Sequence, residues 1–219
     1  MAWPGGAEHN GGMDTDSIPL TALALNCTLT PSPNPSSTQL MTDQVLEALG
    51  AHGVTSSSRR LVDFDIKPGV KADQGEGDDW PMIRQEILAA DILLVSTPTW
   101  MGHMSSIAQR VLERLDAELS LLDDQGRPEL YGKVAVVAVV GNEDGAHAII
   151  ADLFQGLNDV GFTIPTQGST YWNGEAMQTV DYKDLDQTPK PVAATTAALA
   201  ADAAHLARLL TANPYPPQQ

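Results

Sequence analysis

Apolar and polar positions alternate along the chain in blocks that predict strands and helices by turns. Continuous apolar runs, typical of parallel strands that are covered on both faces, occur at residues 20–26, 91–98 and 133–141. Two shorter runs, RRLVDF at 59–64 and FTIPTQGS at 162–169, predict a second and a fifth strand. The pattern therefore predicts five strands.

Between these runs, apolar residues recur with the spacing of amphipathic helices. The stripes predict helices from about Gln39, over 80–90, from Ser105 or Ser106 to about Leu119, from Ile149 until Gly161, and over 192–210. The acidic and glycine-containing stretch 67–79 and the polar stretch 170–190 are predicted as loops.

This alternation predicts an α/β fold, with a doubly wound parallel sheet of five strands and helices on both faces. We expect one domain over residues 18–212, with a flexible N-terminal arm at 1–17 and a flexible tail at 213–219. Such a sheet binds ligands beyond the carboxyl ends of its strands, where the strand order reverses. The loops 26–38, 97–104 and 141–147 leave those ends, so candidate chemistry is expected there.

The first loop, NCTLTPSPNPSST, has the composition of an anion site at a helix N-terminus. Unpaired amides and the helix dipole favour an anion there, and hydroxyl groups add donors. No Lys or Arg occurs between Leu20 and Ser58, and GxGxxG is absent, so a terminal monophosphate fits better than a triphosphate or pyrophosphate. A capped, serine-rich turn is the alternative. The candidate phosphate ligands are Thr28, Thr30, Ser36, Ser37 and Thr38.

The second loop, TPTWMGHMSS, brings an aromatic ring and a thioether to the end of the central strand. These groups offer a polarizable surface for a flat ring, and a glycine lets backbone amides approach its polar edge. The alternative is that the large side chains only anchor the loop by packing. The candidates are Pro98, Thr99, Trp100, Met101 and Gly102.

The third loop, GNEDGAH, combines a small residue with amide, carboxylate and imidazole groups. An Asn can bond a ring carbonyl, and His147 is either a proton donor near neutral pH or a surface residue at a helix start. No other loop supplies convergent ligands, so we predict no metal site. The candidates are Asn142, Glu143, Asp144, Gly145 and His147.

Composition limits the range of partners. The chain of 219 residues has 28 acidic and 12 basic residues, a net charge of −16, which disfavours nucleic acid and anionic membrane surfaces. No secretory leader or spanning run is evident, so we expect a soluble, cytoplasmic protein without a membrane partner. Cys27, the only cysteine, is expected to be a buried apolar residue.

Taken together, the three loops resemble those of the flavodoxin-like NAD(P)H-dependent FMN reductase and quinone reductase family, over roughly residues 20–210. The TPTWMG stretch matches the TPxWxG loop of that family. The resemblance implies strand order 2-1-3-4-5, FMN as cofactor and NAD(P)H as co-substrate. It also implies that the first loop cradles the FMN phosphate and that the second and third loops contact the ring.

The implied reaction is a ping-pong cycle in which the flavin takes a hydride from NAD(P)H and reduces a quinone, another flavin or a similar small electron acceptor. Flavin N5 carries this chemistry, so no catalytic side chain is expected beyond His147 as a candidate proton donor. The resemblance also implies a homodimer or homotetramer. Tyr171 and Trp172 either cover the ring or pack against the last strand, and packing is the favoured alternative. The alternatives are a one-electron carrier that docks on redox partners, and a protein that keeps the fold without the cofactor.

Overall fold

The computed structural model describes residues 18–176 and 180–217 and is built on a parallel sheet. Its strands are β1 (Leu20–Asn26), β2 (Val54–Arg60), β3 (Ile92–Trp100), β5 (Val134–Gly141) and β6 (Ser169–Asn173), in the order β2-β1-β3-β5-β6. The two-residue β4 (His103–Met104) pairs antiparallel with the end of β3. Without β4, the order is the predicted 2-1-3-4-5, and the doubly wound flavodoxin-like fold is confirmed.

Five α-helices cover the two faces of the sheet in the described part of the chain. They are α1 (Ser37–Ala51), α2 (Trp80–Ala89), α3 (Ser106–Leu115), α4 (Ala146–Asp159) and α5 (Lys190–Ala212). Helices α2, α3 and α4 bury their apolar stripes on one face, and α1 and α5 bury theirs on the other. Alternate residues of β1 divide accordingly: Leu23 and Leu25 enter the first core, and Ala22 and Ala24 enter the second.

The predicted position of the second strand is wrong. RRLVDF was expected to be extended, but β2 ends at Arg60 and residues 61–63 form a 3₁₀ turn. Strand β2 lies at the edge of the sheet and is partly exposed, so its sequence VTSSSRR is mostly polar. An edge strand needs no continuous apolar run, and the hydrophobic pattern did not reveal it.

The predicted fifth strand is also misplaced, and so is the loop after it. FTIPTQGS contributes only an isolated bridge at Thr163 and the first residue of β6, and the rest of β6 occupies residues 170–173 of the predicted polar loop. Pro165 has no amide hydrogen for a ladder, which disfavours a strand there. The predicted helix that reaches Leu119 also ends early, because α3 stops at Leu115 and continues as a 3₁₀ turn.

The ends of the chain fall partly outside the described residues. The predicted arm at 1–17 lies outside them, as do residues 218 and 219 of the predicted tail. Within that tail, Tyr215 meets the Tyr131 ring edge-on at 5.6 Å, and its hydroxyl lies 3.1 Å from the Thr163 hydroxyl. No helix of the described part is both long enough and apolar enough to cross a membrane.

Candidate functional site

A cavity of about 440 Å³ lies at the carboxyl ends of β1, β3 and β5, where the strand order reverses. The three loops singled out by the sequence form most of its wall, and the chain after β6 completes it. The lining residues are Thr28, Leu29, Thr30, Pro35, Ser36, Ser37, Thr38, Pro98, Thr99, Trp100, Val140, Gly141, Asn142, Glu143, Trp172, Ala176, Asp181 and Lys183.

Most of the predicted site residues meet at this cavity. The first loop contributes all five of its candidates, the second contributes Pro98, Thr99 and Trp100, and the third contributes Asn142 and Glu143. The other candidates do not line it: they are Met101, Gly102, Asp144, Gly145 and His147.

Thr28 lines the cavity and has a hydroxyl hydrogen that is not used by the loop. Its hydroxyl oxygen accepts hydrogen bonds from the Thr30 amide at 3.2 Å and from the Ser36 hydroxyl at 3.0 Å. Two accepted bonds leave the hydroxyl hydrogen to donate elsewhere. The Thr28 side chain is buried, and its backbone amide donates to the Asn26 side chain at 3.0 Å, so this donor is held in place.

The beginning of α1 supplies further donors at the same end of the cavity. Ser36 is the N-cap, because its hydroxyl oxygen accepts from the Gln39 amide at 3.3 Å. The amides of Ser37 and Thr38, in the first helical turn, have no partner within the helix. Ser36 therefore shapes the loop, and Ser37 and Thr38, which also line the cavity, carry the further hydroxyls and amides.

Arg60 supports this loop from outside the cavity. Its guanidinium donates to the Asn34 carbonyl at 2.9 Å and to the Gln39 side-chain oxygen at 3.2 Å. That oxygen also accepts from Asn26 at 2.7 Å. The first loop has no cation of its own, and a strand-end arginine holds its carbonyl groups instead. The apolar pattern gave no reason to single out Arg60.

The middle of the cavity has a close-packed wall and an unused polar atom. The hydroxyl of Thr99 is buried without a hydrogen-bond partner. A Cβ on Gly141 would lie 2.7 Å from the Thr99 Cβ, so only glycine leaves β5 this close to β3. A buried hydroxyl without a partner is costly, and a polar ligand in the cavity would satisfy it.

The second and third loops are locked together at the far end. Glu143 accepts a hydrogen bond of 2.5 Å from the Met101 amide, and Met101 and Gly102 both have positive φ, 52° and 76°. A Cβ on Gly145 would lie 2.7 Å from the Gly102 carbonyl oxygen. Met101, Gly102 and Gly145 therefore fix the shape of this end without lining the cavity. Trp100, 56% exposed, stands at its rim.

His147 lies beside the cavity wall and is engaged elsewhere. Its Nε2 is 2.9 Å from the Tyr171 hydroxyl, and the two rings meet edge-on with centroids 5.1 Å apart. The imidazole is therefore held by Tyr171 and does not point a free nitrogen into the cavity.

Two titratable groups that sequence reasoning assigned no role, Asp181 and Lys183, line the cavity, together with Trp172. The ring of Trp172 lies 5.4 Å from the ring of Tyr182, and Asp181 accepts a hydrogen bond of 2.7 Å from Asn142. These residues were hidden in the stretch 170–190, whose polar composition is that of any loop. Only the aromatic pair Tyr171 and Trp172 gave a signal there.

Cys27 is structural, as the sequence suggested. Burial raises the pKa of its thiol, and the side chain lies in the core beneath the first loop. A protonated thiol is a poor nucleophile. Its backbone carbonyl accepts a 2.7 Å hydrogen bond from Ser105, which caps α3 and so ties the first loop to the second.

The fold is that of a flavodoxin-like protein, with its cavity at the switch point of the sheet. Residues 21–177 match the family described as NADPH-dependent FMN reductase, and the chain belongs to that family. Membership identifies FMN as the flavin and NAD(P)H as the reductant, and it makes the chain an oxidoreductase of the flavin class.

Two curated relatives are similar to this chain. The 8-demethyl-8-aminoriboflavin-5'-phosphate synthase of Streptomyces davaonensis is 31% identical over 210 residues, which cover 90% of this chain and 80% of the synthase. The divalent metal cation transporter MntH of Mycobacterium bovis is 37% identical over 169 residues. That match covers 75% of this chain but only 25% of the transporter.

Among solved structures, RosB with bound 8-demethyl-8-formylriboflavin-5'-phosphate superposes with a TM-score of 0.79 at 31% identity, covering 90% of this chain and 82% of RosB. An apo NADH:FMN oxidoreductase superposes with a TM-score of 0.59 at 17% identity, covering 89% of this chain and 92% of that one. The second likeness shows the fold alone.

Proposed function

We propose that this protein reduces a small acceptor, such as a quinone or a flavin, with a hydride taken from NAD(P)H through bound FMN in a ping-pong cycle. The observation that carries the proposal is the polarity of the cavity. One end is a ring of hydroxyls and helix amides, and the other end combines an indole with amide and carboxylate groups. FMN has the same two ends, a phosphate and an isoalloxazine ring.

At the first end, the loop 28–38 would bind the phosphate. The free hydroxyl hydrogen of Thr28, the hydroxyls of Ser37 and Thr38, and the first-turn amides of α1 are all donors, and a phosphate oxygen is an acceptor. The N-terminal end of α1 adds a partial positive charge. These groups distinguish FMN from riboflavin, which lacks the phosphate.

At the other end, Trp100 would lie against the ring, and Thr99 and Asn142 would bond its polar edge. The bound FMN supplies hydride acceptance and electron transfer, and the chain's residues bind and orient it. Donors beside the pyrimidine part of the ring would stabilise the negative charge that it gains on reduction. The imidazole of His147, held by Tyr171, has no part in this proposal.

We also propose a homodimer or homotetramer, since three large apolar side chains are exposed near the mouth of the cavity. Leu29 and Trp100, which line the cavity, are 44% and 56% exposed, and Met101, next to Trp100, is 87% exposed. A second subunit over this rim would remove them from water. Analytical ultracentrifugation with and without FMN measures the assembly directly, and a monomer at all concentrations would contradict this part of the proposal.

The function is tested by anaerobic titration of the FMN-loaded protein with NADPH and then NADH. We expect the visible flavin band to bleach directly to that of the fully reduced flavin, and a quinone to restore it. Stepwise, one-electron reduction by dithionite with no bleaching by either nucleotide would instead indicate the electron carrier. Failure of the unmodified protein to bind FMN would overturn both.

A second candidate function is supported by a specific observation. At 31% identity, the synthase and RosB stand well above the reductase and flavodoxin structures, which reach 17% or less. The synthase is named for a product that is a modified riboflavin phosphate. In this candidate, FMN in the same cavity would be the substrate. Mass spectrometry of the flavin recovered after aerobic incubation distinguishes the two: an unchanged mass supports the reductase, and a changed mass supports the flavin-modifying enzyme.

A further inference from the structure

The phosphate end of the cavity has no cation in its own loop, although its ligand is strongly anionic. A phosphate monoester carries about −1.5 to −2 charges at pH 7. The chain carries −16, and Glu143 and Asp181 line the same cavity. Hydroxyls and helix amides supply donors, but they carry no full positive charge to offset this repulsion. A cation is therefore expected from elsewhere in the chain.

Of the described residues that line the cavity, Lys183 alone carries a positive charge. It lies 145 or more residues beyond the first loop in sequence, in the 3₁₀ turn of residues 182–184. It also lines a shallower groove of about 380 Å³ on the outer side of the loop, beside Pro35, Ser36 and Arg60. The side chain therefore stands where the phosphate end opens to solvent.

The backbone of Lys183 is fixed to the anion loop. Its amide donates to the Ser37 hydroxyl oxygen at 3.2 Å, and Ser37 is the first residue of α1. The preceding Tyr182 is buried, and its hydroxyl donates to Gln44 of α1 at 2.6 Å. The turn is thus held to α1, and the backbone of Lys183 lies beside the N-terminal end of that helix.

The ammonium group of Lys183 is engaged in a way that a phosphate can replace. Its Nζ lies 2.5 Å from the Asp184 carboxylate and 3.3 Å from the Asp181 carboxylate. Those two side chains are 54% and 46% exposed, so water can take the place of the lysine at small cost. An ammonium also has three donors, and it can bond a phosphate while keeping one carboxylate.

Resting on the proposed function, we propose that Lys183 is the cation of the flavin phosphate site and a determinant of specificity for phosphorylated over unphosphorylated flavin. Binding would turn Nζ from Asp184 toward the phosphate oxygens, beside the hydroxyls of Thr28 and Ser37. The positive charge of the lysine would offset the negative charge of the phosphate, which the uncharged loop cannot do. It acts on affinity and selectivity, and the hydride transfer does not involve it.

The test compares Lys183→Gln, which removes the charge and keeps a donor, with Lys183→Arg, which keeps the charge. The matched control is Lys190→Gln, an exposed lysine of α5 outside the cavity whose loss changes the net charge equally. Dissociation constants for FMN and for riboflavin are measured by calorimetry at low and high salt, and circular dichroism confirms that each variant is folded.

We expect Lys183→Gln to raise the FMN dissociation constant about tenfold, or about 1.4 kcal/mol, with riboflavin binding unchanged and a weaker salt dependence for FMN. Lys183→Arg should restore most of the affinity, and Lys190→Gln should bind FMN like the unmodified protein. Unchanged FMN binding by Lys183→Gln, or equal losses for FMN and riboflavin, would overturn the assignment while the proposed function stood. Absence of FMN binding by the unmodified protein would overturn the proposed function itself.

Discussion

At the scale of single residues, the hydroxyls of the first loop have different roles although the sequence presents them alike. Ser36 caps α1, and Thr28 accepts two hydrogen bonds and retains one hydrogen to donate. Composition predicted an anion site in this loop, but it gave no means to tell the capping residue from a residue with a free donor. That difference depends on which oxygen faces which amide, and it appears only in the folded loop.

Thr28→Val should weaken FMN binding about tenfold or more, because a hydrogen bond to a charged group contributes about 1.5–3 kcal/mol. Riboflavin binding should change much less. Thr28→Ser keeps the hydroxyl and should bind FMN nearly normally. The control is Thr42→Val, which removes a buried 2.7 Å hydrogen bond to the Thr38 carbonyl without reaching the cavity. Equal effects of Thr28→Val and Thr42→Val on FMN affinity would contradict the donor role of Thr28.

Two tryptophans show how environment decides a role that residue type leaves open. Trp80 is fully buried under the guanidinium of Arg114, whereas Trp100 is 56% exposed at the cavity rim. Trp100→Ala should therefore leave the melting temperature within about 2 °C while it raises the fluorescence of bound FMN, because an indole against the ring quenches it. Trp80→Ala should cost about 3–5 kcal/mol of stability. Unchanged flavin fluorescence in Trp100→Ala would assign Trp100 to packing alone.

At the scale of elements, the three central strands were predicted within two residues at each end, and the edge strands were not. Strands β1, β3 and β5 are covered on both faces, so burial forces a continuous apolar run. Strands β2 and β6 have one neighbour each in the main sheet and carry polar, partly exposed residues. The hydrophobic pattern indicates which strands are buried, but it does not indicate which segments pair as strands. The part of the cavity wall that is formed by β6 and the turn after it was not predicted, for the same reason.

The loop between β2 and α2 is held by a buried ion pair that the sequence did not suggest. The side chains of Asp78 and Arg114 are both fully buried, 2.8 Å apart, and Arg114 also donates to the Lys67 carbonyl at 2.8 Å. Burial alone would raise the pKa of Asp78. Hydrogen bonds from Arg114 and from three backbone amides have the larger effect and lower the pKa to about 2. Its ordinary value is 3.8.

Because the folded-state pKa of Asp78 lies below its unfolded value, the pair stabilises the fold above about pH 4, and this contribution is lost as the pH falls toward 2. The loss should be about 2 kcal/mol in the free energy of unfolding, measured by urea titration at each pH.

Asp78→Asn should be about 3–5 kcal/mol less stable at pH 7, since it leaves a buried unpaired guanidinium, and its stability should vary less over this pH range. The control Glu86→Gln, which breaks the more exposed pair with Arg59, should cost less than about 1 kcal/mol. Parallel pH profiles of Asp78→Asn and the unmodified protein would contradict this explanation.

At the scale of the whole molecule, an acidic chain with net charge −16 has a cavity with a hydroxyl-rich end at the switch point of its sheet. The strand order places the first and second loops on either side of that point, and both line the cavity there. Glu143 and Gly145 hold the third loop against the second, and the 3₁₀ turn that contains Lys183 is held to α1. Both arrangements depend on contacts between residues far apart in sequence. Such contacts leave no local pattern to read.

The most direct test of the account is a crystal structure of the protein with FMN. The account predicts the phosphate within hydrogen-bond distance, about 2.7–3.2 Å, of the Thr28 hydroxyl and the first-turn amides of α1, with the ring beside Trp100 and Asn142. FMN bound outside this cavity, or bound within it with the phosphate at the Trp100 end, would contradict the account.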